Sequence, residues 1–530
     1  MKKKVLFILL VAIFASISAQ SSKELFIKLI DSETSQSISY ATVILKGSSL
    51  GVIADFNGEF RIPMKYYNDN KAIIISSIGY KTEEVPLNSL DVNKTNILKI
   101  ATQIEALDAV IVTSRSKKAN ELVKASRRMT AIEIVRKAIA QIPENLSKKP
   151  HSYVGYYRDY QLVDNRFHNL NEAILETFDQ GINTNFLEKN EAPTAVYSFK
   201  QNTNFIQDML LSKPYGRTKY IPNSQILPRG GNEYLILNIH NPIRNYSTNT
   251  FSYVYNLERD FPNLHYFKKD QVVFFNDEPL ILIEFKYQKP YDNSMHGLKK
   301  DTNNNAEGSI YISLIDYSIH RFNYKMFIPS TKNLLFNVNV EYIRKNDQMY
   351  LNYITFNNTF VAREDTLKEE EVLFDNLEQA FYITFNNTKD HLNENSHDKN
   401  NFKFKLGNQQ LKTLRVKKIS ERQLKVSVKR LDGERLEITE KNIKELSYTL
   451  KRIEDVKGRK IYKRNRIKGD QFREFFVQQI HLDKPIPKDL NFMNQNSPIK
   501  KATLNQSPEA NQYWINSPLM DKKYRDADDK

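Results

Sequence analysis

Alternation of apolar and polar residues at a period of two dominates this chain. In "SIHRFNYKM", Phe322, Tyr324 and Met326 face one way and Arg321, Asn323 and Lys325 the other. "LFNVNVEY" repeats the plan, with Phe336, Val338, Val340 and Tyr342 opposite Asn337, Asn339 and Glu341. Such regularity predicts an antiparallel sheet, covered on one face and wet on the other. "HSYVGYYRDYQLVDNRFHNLNEAILETF" and "DQVVFFNDEPLILIEFKYQ" predict hairpins turning at Asp164-Asn165 and Asn276-Asp277. Nearer the N-terminus, six or seven short strands predict a small β-sandwich, with Asn57-Gly58 closing a hairpin between "VIADF" and "EFRIP". Helical spacing is clear in one place: Ile132, Val135, Ile139 and Ile142 follow a capping box at Thr130 and Glu133 and stop at Pro143. The predicted fold class is mainly β: a small N-terminal β-sandwich, a connector helix, then a large antiparallel β-rich region.

Composition shifts divide the chain further. "MKKK", an unbroken apolar run from Val5 to Phe14 and "ASISA" read as a secretory signal over residues 1–19. The sandwich spans 23–101, a connector strand and amphipathic helix 102–150, and the β-rich domain 151–363. A polar linker with one strand follows over 364–404, then a basic β-rich segment over 405–490 and an extended tail over 491–530 that Trp514 pins down. "YITFNNT" occurs at residues 353–359 and 382–388 with unmatched flanks, which suits two similar strands and not a repeat array. "RQLKVSVKRLDGERLEI" predicts a hairpin about Asp432-Gly433, and "EKNIKELSYTLKRI" a short helix.

"YATVILKGSSLG", "DFNGEF" and "SSIGYKTEEVPL", with Asp31 ahead of them, resemble the carboxypeptidase regulatory-like domain of Bacteroidetes-type envelope proteins. The resemblance implies a transthyretin-like sandwich with no catalytic residues of its own. Its structural pattern falls on Gly47, Gly51, Asn57, Gly58, Phe60, Gly79 and Tyr80. "LDAVIVT", residues 107–113, is similar to the segment with which TonB-dependent transporters add a strand to their energising partner. A closing strand of the sandwich is the favoured reading of it. "GSIYISLIDYSIHRFNY" resembles, at the level of fold alone, a hairpin of lipoprotein-carrier half-barrels, so a half-barrel-like shape is open to the large region.

Charge and chemistry then narrow the function. The chain has 530 residues and no Cys, which excludes thiol catalysis and a lipid-accepting Cys and suits an exported bacterial protein. Net charge is +16, of which +12 falls within residues 412–468, where 20 Lys and Arg face 8 Asp and Glu. Lys417, Lys418, Lys429 and Arg430 are the candidate anion-binding residues, with a solvated strand face as the alternative. Anionic lipid, lipid A and acidic polysaccharide are the partners that fit an exported protein, along with an envelope protein; nucleic acid is not expected. "DFNG" lacks the remaining ligands of a calcium loop. His391 and Glu394 have the spacing of a zinc pair but stand in polar, Asn-rich sequence. No G-x-S-x-G or phosphate loop occurs, and "PRGGNEY" reads as a loop turn. No catalytic residue, cofactor or metal is expected. The function expected is a non-catalytic binding or assembly module of the cell envelope, in the periplasm or at the outer membrane. An envelope hydrolase whose carboxylates converge only in the fold, and an accessory of TonB-dependent transport, are the alternatives.

Overall fold

The computed structural model describes residues 24–48, 50–106, 117–187, 192–222, 229–249, 256–288, 305–328, 333–386, 391–456, 458–506 and 513–517. The signal expected over residues 1–19 and the segment 107–113 lie outside them. The chain divides into two compact units, Met1–Phe360 with Gly469–Lys530, and Val361–Lys468.

The N-terminal strands are β1 (Glu24–Asp31), β2 (Thr42–Leu45), β3 (Gly51–Ile53), β4 (Glu59–Pro63), β5 (Ala72–Ser76), β6 (Glu83–Pro86) and β7 (Asn96–Ile100), with a short helix α1 (Met64–Asn68) after β4. They form two sheets, β4-β1-β7 and β3-β2-β5-β6. Leu25, Ile27, Val43, Phe60 and Ile73 fill the space between. Asn57-Gly58 does not close a hairpin, because β3 and β4 belong to different sheets and the turn carries the chain across the sandwich. A turn dipeptide specifies the reversal; packing chooses the strand's partner.

Three helices follow: α2 (Lys117–Arg128), α3 (Ala131–Ala140) and α4 (Ile142–Asn145). The capping box forms at Thr130 and Glu133 as predicted. The buried face of α3 is Ala131, Ile134, Val135, Ala138 and Ile139, so Ile134 takes the place expected of Ile132. Pro143 does not end the helical run; it sits in the first turn of α4, where its missing N–H costs nothing.

The large sheet has twelve strands. Its members are β8 (Ile104–Ala106), β9 (His151–Val163), β10 (Arg166–Asp179), β11 (Thr194–Gln201), β12 (Lys219–Tyr220), β13 (His265–Phe275), β14 (Glu278–Tyr287), β15 (Asn305–Ser313), β16 (Ile319–Ile328), β17 (Asn333–Lys345), β18 (Gln348–Arg363) and a late strand. β13 to β18 form an antiparallel meander within a half-barrel-like sheet. Both predicted hairpin turns are present: Asp164-Asn165 at φ 49 and 58°, and Asn276-Asp277 at 49 and 64°. Asn and Asp accept the left-handed conformation that such two-residue turns demand. β8 pairs with β13 and so extends the large sheet, not the sandwich.

The second unit contributes β19 (Glu369–Asp375), β20 (Ala380–Phe385), β21 (Phe402–Leu406), β22 (Gln409–Lys418), β23 (Gln423–Arg430) and β24 (Leu446–Leu450), in the order β19-β20-β23-β22-β21-β24. Phe381, Ile383, Phe404, Val426 and Ile453 are among its core residues. Part of the stretch expected as linker, 364–404, therefore belongs to a folded unit. No strand follows Asp432-Gly433 to make a hairpin, and "EKNIKELSYTLKRI" becomes one 3-10 turn and β24. The first copy of "YITFNNT" lies in β18 and residues 382–385 of the second in β20, in different sheets. β25 (Arg466–Leu482) then returns to the large sheet between β9 and β18.

Both faces of the large sheet are covered. On one, α5 (Glu233–Ile239) and α6 (Phe261–Leu264) bring Tyr234 against Tyr157 and Phe475, and Phe261 against Phe285 and Phe322. On the other, the sandwich stacks Tyr40 on Tyr353 at 5.1 Å and Phe56 on Phe472 at 5.7 Å. The face expected to be wet is thus partly a second interface, in which Asn339 and Glu341 are buried. Residues 513–517 are packed there too, with Trp514 in the sandwich core.

Candidate functional site

Strands β21, β22 and β23 contain no Asp or Glu. Their period of two sends Phe402, Phe404, Leu411, Leu424, Val426 and Val428 into the core, so the intervening residues stand on the opposite face. Register places Lys412 opposite Lys429, Arg415 opposite Ser427, Lys417 opposite Lys425, and Lys405 opposite Gln410. With Lys403, seven cations share one sheet face, and all but the half-buried Lys425 are exposed. Lys425 pairs with Glu378 at 2.5 Å. The face is positively charged, and its field falls off over about 8 Å at physiological salt.

Of the four anion-binding residues expected from sequence, Lys417 and Lys429 lie on this face. Lys418 and Arg430 do not. They are in register with Leu424 and Leu411 on the core side, at strand ends, where Lys418 pairs with Glu421 at 3.0 Å and Arg430 with Asp432 at 2.6 Å. Lys403, Lys405, Lys412, Arg415 and Lys425 complete the face and are not among the residues expected. The signal that finds them is the same alternation read in "FKFKL", "LKTLRVKK" and "QLKVSVKR".

The sandwich pattern residues are structural. Gly47, Gly58 and Gly79 have φ of 78, 74 and 89°. At Gly51 a Cβ would come within 2.5 Å of the Val43 carbonyl. Phe60 is fully buried, and burial with the nearby Asp31 pushes the Tyr80 hydroxyl up to about 12. In "DFNG", Asp55 Oδ1 accepts from the backbone N–H groups of Asn57 and Glu59, each at 2.9 Å. That is a turn-capping role.

Within the first unit, a polar cavity of about 160 Å³ is lined by Asp159, Gln161, Asn169, Asn171, Gln201 and Glu233 among others. Asp159 and Asn171 come from the paired strands β9 and β10; Glu233 opens α5 behind the Asn232 cap. Tyr157 and Asn171 donate to Asp159 at 3.0 and 3.1 Å. Burial, then the neighbouring Glu233 carboxylate, pushes Asp159 up to about 7. Arg473 on β25 pairs with Glu233 at 2.5 Å and donates to Asn358 at 2.7 Å. Nearby Lys219, fully buried, donates to Gln471 and to the Leu211 carbonyl, both at 2.8 Å, and burial brings it down to about 8. A carboxyl that titrates near neutrality beside a second, ion-paired carboxylate can hold or give a proton. Sequence could not place these groups together, since Glu233 and Arg473 are 240 residues apart.

The loop Arg229-Gly230-Gly231, φ 42, 57 and 84°, runs between this cavity and a larger chamber of about 520 Å³ with both apolar and amide side chains in its lining. Residues 229–231 form a turn, with the Asn232 N–H donating to the Arg229 carbonyl at 2.9 Å, and they line both spaces. Among the described residues no group of three or more His, Asp or Glu side chains is placed to hold a metal; His391 of "HLNE" is exposed and lies 3.5 Å from Glu421.

The N-terminal sandwich is a CarboxypepD_reg-like domain: residues 28–112 match the model of that family. Over 109 residues the chain is 34% identical to the TonB-dependent receptor SusC of Bacteroides thetaiotaomicron, a stretch that takes in 21% of this chain and 10% of that receptor. The chain thus spans about a tenth of the relative it matches. Both findings fit a protein of the Bacteroidetes-type cell envelope. Among solved structures, the LolA superfamily protein NE2245 from Nitrosomonas europaea aligns at 9% identity and a TM-score of 0.19, over 43% of this chain and 86% of that one. A DUF1329 family protein from Desulfovibrio piger aligns at 6% and 0.18, over the same shares. Alignments this loose define no common fold.

Proposed function

We propose that this chain is a non-catalytic binding or assembly protein of the cell envelope, exported to the periplasm or outer-membrane surface, whose second unit engages anionic envelope material. One observation carries the reading: seven cations share the solvent face of β21–β23, strands that contain no Asp or Glu themselves. Lipid headgroup phosphates, lipid A and acidic polysaccharide offer the matching charge, and several Lys and Arg acting together give binding that weakens steeply with salt. The CarboxypepD_reg-like domain and the kinship with SusC support the envelope address. The test is co-sedimentation of the full chain with phosphatidylglycerol vesicles, phosphatidylcholine vesicles and an acidic polysaccharide gel. Retention on one or both anionic matrices, lost on the zwitterionic one, supports the reading; equal recovery on all three contradicts it.

The cavity favours a second reading, an envelope hydrolase acting on cell-wall or glycan substrates. Asp159, raised toward neutrality beside Glu233, has the character of a general acid next to a second carboxylate. Turnover of a glycan or peptidoglycan substrate that vanishes in both Asp159→Asn and Glu233→Gln would establish it; no turnover by the wild type removes it. The SusC kinship supports a third, accessory role in TonB-dependent transport. That role requires residues 107–113 for partner capture, and deleting them without loss of any envelope partner rules it out.

A further inference from the structure

We propose that the chamber behind Arg229 binds a single-chain amphiphile, an apolar body with one anionic head group. Its volume of about 520 Å³ falls inside the roughly 300–1,000 Å³ of small-molecule sites. Phe186, Pro193, Leu235 and Phe492 make apolar walls, and among the described residues that line it Arg229 is the one charged side chain. Arg229 Nε is buried without a hydrogen-bond partner. By contrast, the buried guanidinium Nε groups of Arg244 and Arg473 are paired with Asp179 and Glu233. A buried donor without an acceptor is costly, and an anionic oxygen is the acceptor that satisfies a guanidinium best. The backbone agrees. Arg229 has φ 42°, a conformation that non-glycine residues rarely adopt and that tends to persist where a ligand is held. The next residue, Gly230, is pressed so tightly to the tail that a Cβ would come within 1.8 Å of the Asn496 carbonyl. Asn494 and Asn496 of that tail also line the chamber and add neutral polar groups beside the same loop. A free inorganic anion would leave the apolar walls unfilled, and a neutral hydrocarbon would leave Arg229 without its acceptor. A long-chain acid meets both demands.

This inference goes beyond the cationic face, which lies in the other unit, and its test is separate. The full-length chain, delipidated, is loaded with a dansyl-labelled fatty acid, which palmitate, palmitoyl phosphate and neutral monopalmitoylglycerol then compete off. Palmitate or palmitoyl phosphate is expected to bind at least about tenfold more tightly than the neutral ester, and the comparison of the two identifies the head group. Arg229→Gln should erase that preference while leaving affinity for the neutral ester unchanged. Ala192→Trp and, separately, Met493→Trp should fill the chamber and abolish all binding while melting curves remain cooperative. Failure of the wild type to bind any of the three competitors overturns the proposal. So does equal affinity for acid and neutral ester with no effect of Arg229→Gln, or unchanged binding in folded chamber-filling variants.

Discussion

Arg158 on β9 donates through Nη1 to the backbone carbonyl of Asn516, 2.5 Å away, while its Nε pairs with Glu474 on β25. The bond ties the centre of the large sheet to a five-residue stretch near the C-terminus. The same stretch reaches the sandwich: Asn516 Nδ2 donates to the Ile53 carbonyl at 3.3 Å, and Trp514 Nε1 to the Tyr66 hydroxyl at 3.1 Å. Gln478 on β25 grips Trp514 by both backbone groups, donating to its carbonyl at 2.6 Å and accepting from its N–H at 2.8 Å. Residues 513–517 are a strap between sheet and sandwich. Truncating the nearly buried indole removes its packing in the sandwich core, so Trp514→Ala should cost about 3–5 kcal/mol in urea unfolding. A loss below about 1 kcal/mol would mean that the strap holds nothing.

The crossing turn of the sandwich makes a sharper test of backbone geometry. Gly58 and Gly433 share a left-handed φ, 74 and 82°, but a Cβ on Gly58 would meet the Leu29 carbonyl at 2.6 Å, whereas one on Gly433 meets nothing within 4 Å. Gly433→Ala should cost about 1 kcal/mol, the conformational penalty alone. Gly58→Ala carries the backbone clash as well and should cost roughly twice that or more. Equal losses in denaturant titrations would show that the Leu29 carbonyl moves aside freely.

Asp159 makes stability depend on pH. Its folded value is about 7, against an ordinary 3.8, because burial and then Glu233 disfavour the charged form. The folded state therefore keeps a proton that the unfolded chain releases, so this group's contribution falls as pH rises from about 4 to about 7 and is flat above. Asp159→Asn removes the titration. The variant should match or exceed the wild type at pH 8, gaining on the order of 1 kcal/mol or more relative to pH 4. Parallel stability–pH curves for the two proteins would place the proton elsewhere.

The strands were legible because their alternation is set by local geometry: Phe322, Tyr324 and Met326 must share a face in any β-structure. The turns at Asp164-Asn165 and Asn276-Asp277 were legible for the same reason, since those residue types tolerate the conformation that the turn imposes. Asn57-Gly58 carried the same local signal and led to the wrong partner, because which strand comes to lie beside β4 is decided by the sandwich core. The cationic face was half legible. Lys417 and Lys418 are neighbours in sequence and so project to opposite sides of β22, which is why a charge cluster in the text splits in space while Lys412, Arg415, Lys417 and Lys429 converge. The cavity of Asp159 and Glu233 left no trace in sequence, because its members stand on β9 and α5 and are stabilised by Arg473 from the far end of the chain.

The cationic face is the hinge of the functional account, and charge reversal reads it directly. The wild type and a Lys412→Glu, Arg415→Glu, Lys417→Glu, Lys429→Glu variant, both shown to be folded, are incubated with purified outer membrane over a series of salt concentrations. Wild-type retention should fall steeply as salt rises, and the variant should lose at least about tenfold in low-salt retention. Equal retention of the two at every salt concentration would contradict the account.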